Sequence, residues 1–204
     1  MRKFYVTTPI YYANAPPHIG GVYTTLAADV LSRWKRLKGY DVFFLTGLDE
    51  HGKKIQETAK QSGKDPKSFL DEIAEKYRLL FRKLGFEYSN FIRTTDSYHE
   101  KRVIELLKDL YSKGYIYKGV YEAYYCVGCE QYLKKSDLVD GKCPLHNRTV
   151  ELRKEEAYLF RLSQFQGELL KVIKSGEFEI LPFSRRKEVI SFIEQGLSDI
   201  SISR

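Results

Sequence analysis

Four residues near the middle of the chain carry the clearest chemical pattern. Cys126 and Cys129 have two residues between them, as do Cys143 and His146, and thirteen residues separate the pairs. Two-residue spacing lets both donors of a knuckle reach one ion. Three thiolates and one imidazole make a closed tetrahedron, which suits structural Zn²⁺ better than a catalytic ion. Such a site ties down a lobe with little core of its own, zinc-finger ligation being worth about 10 kcal/mol or more. The bland alternative is three free thiols and a surface histidine. An odd number of cysteines, all between Cys126 and Cys143, argues against a disulfide framework.

The second pattern is the loop "NAPPHIGG", Asn14 to Gly21, which stands between the strand-like "KFYVTT" and the helix-like "VYTTLAADVLSRWKRLKG". Pro16 and Pro17 stiffen the approach, and Gly20 and Gly21 let backbone come close to a ligand. The loop opens a helix, whose first amides and dipole favour phosphate. His18 can donate a hydrogen bond to a phosphate oxygen, and that bond strengthens as charge builds in a transition state. A Pro-Gly turn with an incidental histidine is the competing explanation.

A third stretch, "FFLTGLDEHG", brings Asp49, Glu50 and His51 to the end of the next strand. A buried carboxylate there can anchor an ammonium group, with Tyr12 of the first loop walling an apolar pocket beside it. Asp49 can instead be a plain cap for a helix starting near Gly52.

The elements that must hold these loops alternate between strand and helix. "YDVFFLTG" (Tyr40 to Gly47) reads as a strand buried on both faces. A short helix closes at Gly63. Asp65 then caps the next helix, with Pro66 in its first turn, Gly85 beyond its end, and Phe69, Ile73, Tyr77, Leu80 and Leu84 as its apolar stripe. "NFIRT" is a third strand, and Ser97 with Glu100 forms a capping box for a helix that stops at Gly114. Such alternation implies a parallel sheet covered by helices, which binds ligands beyond the carboxyl ends of its strands. After Gly114 the Tyr-rich "YIYKGVYEAYYCVGCEQYL" reads as hairpin strands around the metal knuckle. From Glu156 the text reads as helical, and a last helix precedes an alternating strand, Ile200 to Arg204.

The chain has 204 residues and a formal charge of +7, which leans towards a polyanionic partner. Arg153, Lys154, Arg185, Arg186 and Lys187 are candidates for such contacts, each against the alternative of a solvated surface charge. No apolar run approaches the roughly 18–20 residues of a membrane span, and the N-terminus lacks the h-region of a signal peptide. A cytoplasmic location with no membrane partner is the expectation.

Together these stretches resemble the methionyl-tRNA synthetase family of class I aminoacyl-tRNA synthetases. The resemblance is carried by "TTPIYYANAPPHIGGVYTTLAADVLSRWKRLKGYDVFFLTGLDEHG", "FIRTTD", "YEAYYCVGCEQYL", "LVDGKCPLH" and "SDISISR". It implies an α/β fold: the first half of a HIGH-type Rossmann (nucleotidyl transferase) domain over residues 1–114, a zinc-bearing connective-peptide lobe over 115–181, and a return helix and strand of the catalytic domain over 182–204. It implies activation of methionine by ATP, with Mg²⁺, to methionyl-adenylate, followed by transfer to the terminal adenosine of tRNA. By the same resemblance His18 contacts the triphosphate and Gly20 packs against adenine. Ile10 and Tyr12 line the methionine pocket, and Asp49 holds the α-ammonium group.

Three departures stand out. The signature reads "HIGG", so Gly21 stands where the family has a second histidine. Leu48 replaces a small polar residue. The KMSKS loop contains a methionine, and the one methionine here is Met1. The sequence is therefore read as a fragment, or as one chain of a split enzyme needing a complementing C-terminal half. Self-association or a displaced last strand is the expectation for the chain alone. Two other readings are another class I synthetase or nucleotidyltransferase, and a non-catalytic, zinc-stabilised tRNA-binding module.

Overall fold

The computed structural model describes residues 2–129, 131–133 and 135–203. The chain divides into two compact units, Met1–Ile104 and Glu105–Arg204, the division falling within one helix.

The first unit contains a parallel sheet. Strand β1 (Lys3–Thr7) pairs with β3 (Asp41–Asp49), and the two-residue β2 (Tyr11–Tyr12) continues beside the end of the same strand. On its other side β3 takes β4 (Asn90–Arg93), again parallel. Helix α1 (Ile19–Leu37) connects β2 to β3, while α2 (Lys53–Gln61) and α3 (Pro66–Lys83) connect β3 to β4. Helix α4 (Ser97–Ser112) follows β4 and crosses into the second unit.

Local rules account for α3. The Asp65 carboxylate accepts the backbone N–H groups of Lys67 and Ser68, both at 3.1 Å, and Pro66 occupies the first helical position. The buried stripe is Phe69, Ile73, Tyr77 and Phe81, joined by Leu70 and Ala74, whereas Leu84 is exposed. The stripe keeps its four-residue step from Tyr77 to Phe81 instead of turning by three to Leu80 and on to Leu84, because the side of the last turn that carries Phe81 is the one that meets the aromatic core. Phe81 is fully buried, and the rings of Tyr11, Tyr77, Phe86, Tyr88 and Phe91 surround it at 5.3–6.4 Å between centroids. The inner end of β3 is buried from Phe44 to Leu48 apart from a partly exposed Leu45, but Phe43 is exposed, so the strand is not covered along its length. The capping box at Ser97 is not formed. Ser97 is the first helical residue, and the carbonyl of Asp96 accepts from His99 and Glu100.

The second unit is built on an antiparallel sheet in the order β6-β5-β7-β8. Strands β5 (Ile116–Cys126) and β6 (Gln131–Leu133) form the hairpin of the knuckle. Strand β7 (Glu151–Phe160) pairs with β5 from Ile116↔Phe160 to Tyr125↔Glu151. The expectation of helix from Glu156 is corrected here. "ELRKEEAYLF" is rich in helix formers, but ten paired positions along β5 outweigh that preference. Helices α5 (Gln166–Ser175) and α6 (Phe183–Glu194) follow. The last strand, β8 (Ile200–Ser201), pairs antiparallel with the end of β7 and is neither displaced nor part of the parallel sheet. Asp199 secures this end: its carboxylate accepts from the Tyr117 hydroxyl at 2.8 Å and from the Ser163 hydroxyl at 2.6 Å. Among the described residues, no helix is long and apolar enough to cross a membrane.

Candidate active site and metal centre

His18 is the N-cap of α1. Its backbone is extended, and its Nδ1 accepts the Gly20 N–H at 3.1 Å. An acceptor Nδ1 carries no proton, so the neutral ring bears its hydrogen on Nε2, the atom not used by the cap. His18 is exposed, so that donor is open to a ligand. Gly20 has a reason internal to the chain: a Cβ there would lie 2.9 Å from the His18 ring.

Gly21 is buried at the start of the same helix. Its carbonyl accepts from the Tyr11 hydroxyl at 3.0 Å and from the Thr25 hydroxyl at 2.9 Å. The Tyr11 ring lies stacked on Tyr77, with centroids 5.8 Å apart.

Strand β2 joins the two loops. While Tyr11 reaches α1, Tyr12 pairs in register with Asp49, and the Ala13 N–H donates to the Asp49 carbonyl at 2.9 Å. The Tyr12 hydroxyl sits against Gly52, where a Cβ would come within 2.5 Å of it; at φ +124° this glycine is also in backbone space that other residues avoid. Ile10, just before β2, is exposed.

Asp49 is half-buried, and among the described residues its carboxylate accepts one hydrogen bond, from the His51 N–H at 3.2 Å. It does not cap α2, whose N-cap is Gly52. The fully enclosed carboxylate of this loop belongs instead to Glu50, whose side chain has 0% exposure. Glu50 accepts from Arg93 Nε at 2.7 Å and from the Thr95 hydroxyl. Arg93 reaches on to Asp71 at 2.6 Å. Burial works against the Arg93 charge, but its hydrogen bonds to Glu50 and Asp71 outweigh it and hold the pKa above the ordinary arginine range. The buried carboxylate expected at Asp49 is thus Glu50, and Arg93 is its partner. The signal was the pairing of "DEH" with "FIRTT", two strand ends that a parallel sheet sets side by side.

The knuckle residues also come together. The ligand atoms of Cys126, Cys129, Cys143 and His146 all lie within 4.8 Å of one another. Cys129 Sγ is 3.4 Å from Cys143 Sγ and 3.1 Å from His146 Nδ1. A tetrahedral zinc with Zn–S bonds near 2.3 Å sets its sulfurs about 3.8 Å apart, so small adjustments would seat the ion. Two turns deliver the donors. Asp140 and Gly141 both have positive φ between the paired Val139 and Lys142, the arrangement of a tight hairpin. Gly128 leaves room for His146, whose ring would be 2.7 Å from a Cβ there. Hydrogen bonding to Cys143 pushes the Cys129 thiol up to about 12. Burial opposes ionisation of Cys143, but hydrogen bonds with His146, Cys129 and Cys126 bring it down to about 6. The bare cluster thus eases ionisation of Cys143 and opposes that of Cys129. A divalent cation would suit this donor set and would release protons on binding.

The basic candidates are engaged within the chain. Arg153 pairs with Glu151 and lies over the Tyr125 ring, Lys154 pairs with Glu122, and Arg185 with Glu188. Arg186 donates to the carbonyls of Ile173 and Lys174 at the end of α5, and Lys187 lies over Phe183.

The sequence matches the model of the family described as tRNA synthetases class I (M) over residues 4–149 and 129–204. The Methionine--tRNA ligase of Caldanaerobacter subterraneus subsp. tengcongensis is 51% identical over 203 residues, covering 100% of this chain and 32% of the relative. A Mycobacterium tuberculosis methionyl-tRNA synthetase bound by methionyl-adenylate superposes with a TM-score of 0.90 at 38% identity, covering 100% of this chain and 41% of that one. LeuRS of Agrobacterium radiobacter K84, in a ternary complex with tRNA and LeuAMS, superposes with a TM-score of 0.77 at 26% identity, covering 93% of this chain and 25% of that one. The chain thus spans about a third of the length of the curated relatives it matches. Its parallel sheet, its zinc-type cluster and the family match over nearly all its residues place it in the class I tRNA synthetase family, among the methionyl members.

Proposed function

We propose that the chain is the HIGH-motif portion of a methionine–tRNA ligase, which joins methionine to ATP and then transfers the aminoacyl group to tRNA. In the first step a methionine carboxylate oxygen bonds to the α-phosphorus of ATP, and the bond to the β-phosphate oxygen breaks, releasing pyrophosphate. Within this reading His18 presents its Nε2–H to the phosphates at the positive end of α1. Gly20 and Gly21 keep the backbone low beneath the nucleotide. Asp49 takes the α-ammonium group, and Ile10 and Tyr12 border the methionine side chain. Cys126, Cys129, Cys143 and His146 hold a zinc ion, which when bound cross-links its lobe. Residues 1–114 then form the first half of the catalytic domain, 115–181 the zinc-bearing insertion, and 182–204 the segment leading back. Mg²⁺ accompanies ATP, and the setting is the cytoplasm.

The observation that carries this reading is β2, whose Tyr11 is bonded to the start of α1 and whose Tyr12 lies in register with Asp49. One two-residue strand fixes both the loop assigned to the nucleotide and the loop assigned to the amino acid. The test is isothermal titration of methionine and ATP, using the chain alone and spliced in place of the matching segment of the Caldanaerobacter relative. Binding of both ligands by the chimera, lost on Asp49→Asn for methionine and on His18→Ala for ATP, is expected. A chimera that binds tRNA but neither small molecule overturns the catalytic reading in favour of a tRNA-binding module. Preference for another amino acid overturns the choice of methionine.

A further inference from the structure

We propose that Arg93 and Thr95, acting through the enclosed carboxylate of Glu50, are positioning residues that set the Asp49 carboxylate for the α-ammonium group of the substrate. The inference rests on the assignment of Asp49 made above and deepens it.

The loop after β3 has few restraints of its own. Asp49 ends the strand, Gly52 has a backbone open to many conformations, and no side chain caps α2. Its restraints come from the far side of β3, at the exit of β4. The Thr94 N–H donates to the Leu48 carbonyl at 3.2 Å, and the Thr94 hydroxyl accepts the Glu50 N–H at 2.9 Å. His51 Nε2 lies 3.3 Å from the Thr94 carbonyl. Glu50 closes the set, one oxygen taking Arg93 Nε and the other the Thr95 hydroxyl. Leu48, Glu50 and His51 flank Asp49, and all three are fastened to Arg93–Thr95. Asp49 itself turns the other way, its carbonyl accepting from Ala13, just after β2.

Chemistry explains why this anchor is ionic. A carboxylate with no exposure needs full compensation, and removing one partner leaves the other uncompensated. Arg93 meets the need with two separate nitrogens, Nε for Glu50 and Nη1 for Asp71 on α3. Lysine has one nitrogen and cannot span both in the same way. The Arg93 N–H is taken by the Asp96 carboxylate at 2.9 Å, which fixes the start of the arginine as well. A carboxylate one residue away from Asp49 is thereby held by Thr95 and by Arg93 of β4, the arginine being braced in turn by Asp71 of α3. A shift of a fraction of an ångström there moves Asp49.

The test compares l-methionine with its des-amino analogue, 4-(methylsulfanyl)butanoate, by isothermal titration of the chimera described above. The unmodified protein is expected to prefer methionine, the preference measuring the ammonium contact. Arg93→Met and Thr95→Val are expected to reduce that preference on the order of tenfold to a hundredfold while leaving affinity for the analogue unchanged. Thr95→Ser, which keeps the hydroxyl, is expected to restore it. Thr95→Val removes one hydroxyl from the loop and keeps the test open if Arg93→Met fails to fold. An unmodified protein without preference for methionine overturns the assignment of Asp49. A preference retained in full by folded Thr95→Val overturns the positioning role alone, as does an equal loss of affinity for both ligands.

Discussion

The Tyr11 hydroxyl donates to the carbonyl of Gly21 at 3.0 Å, and the Tyr11 ring occupies the space into which a side chain at position 21 would grow: a Cβ there would lie 3.3 Å from the ring. The ring is itself held, stacked on Tyr77 and edge-on to Phe81. Replacing Gly21 by the histidine usual in the family therefore has two opposed effects. The added imidazole supplies a second donor for the phosphates, worth about a hundred- to a thousandfold in rate. The Cβ forces Tyr11 back by a few tenths of an ångström, an overpacking cost of about 1 kcal/mol, the low end of the usual range. Gly21→His is expected to raise methionine-dependent pyrophosphate exchange in the chimera and to lower the thermal midpoint of the 204-residue chain by about 2–4 °C. Equal exchange rates refute the first part and an unchanged midpoint the second.

His18 serves as cap and as donor through different nitrogens, so the two roles can be separated. Asparagine keeps an N-cap oxygen but lacks the reach of Nε2. His18→Asn is expected to retain stability while losing ATP affinity. His18→Ala loses both, with a stability cost of about 1 kcal/mol. Urea unfolding and nucleotide titration of the two variants check this. If Asn and Ala are equally stable, the cap bond to Gly20 contributes nothing.

The parts of the molecule legible in the sequence are those governed by short-range chemistry. Asp65 and Pro66 start α3 because a cap acts within one turn, and the zinc-type cluster is legible because two-residue knuckles constrain their own geometry. Strand β7 was hidden because Lys154, Glu155, Glu156 and Ala157 favour a helix locally, while the partner that overrides them, β5, lies some thirty-five residues earlier. Glu50 was hidden for the same reason. Beside Asp49 it reads as one more surface acid, and only the pairing of β3 with β4 brings Arg93 to it. At the end of α3, Leu80 with Leu84 and Phe81 are both compatible with an apolar helical stripe, and only the rings gathered around Phe81 decide which side is buried.

Metal removal should act on one unit. The second unit carries all four proposed ligands, and its sheet around the knuckle is the three-residue β6 against β5. One zinc per chain is expected by elemental analysis, with protons released on binding because Cys129 holds its proton in the bare cluster. Cys143→Ser, or chelation, should abolish zinc and expose the β5–β6 hairpin to hydrogen exchange, while amides of β1, β3 and α3 stay protected. Full protection of the hairpin without metal refutes the structural role.

Asp199 gives the second unit a pH dependence of defined sign. The Ser163 hydroxyl bond, supported by that of Tyr117, holds its carboxylate below the usual range. A depressed folded value means that the unfolded chain takes up the proton first. The stabilisation is complete above the ordinary aspartate value of about 3.9 and fades as pH falls through the lower folded value. Asp199→Asn is expected to destabilise the unit at neutral pH, with the difference from the unmodified chain shrinking in acid. Unfolding measured by tyrosine fluorescence across pH checks this. A difference that does not change with pH assigns the effect to packing rather than to charge.

Helix α1 is apolar on the side that faces out. Ile19, Tyr23, Leu26, Val30, Trp34 and Leu37 are all exposed, and at 100° per residue they fall on one stripe. Its buried residues are small or polar: Gly21, Thr25, Ala28, Asp29 and Ser32. Asp29 fixes that orientation, accepting from Arg33 at 2.7 Å and from the Glu87 N–H at 2.8 Å. The helix therefore cannot roll to hide its apolar side without breaking a buried carboxylate's bonds. Contiguous apolar surface of this kind marks contacts with other molecules or a tendency to associate. The 204-residue chain by itself is accordingly expected to self-associate with rising concentration in sedimentation, and the double variant Val30→Glu, Trp34→Glu to remain monomeric with the same circular dichroism. The same variant in the chimera should lose solubility or activity if the relative's remaining segments cover the stripe. A chain that stays monomeric throughout shows that the stripe tolerates water, and removes the expectation of self-association through this helix.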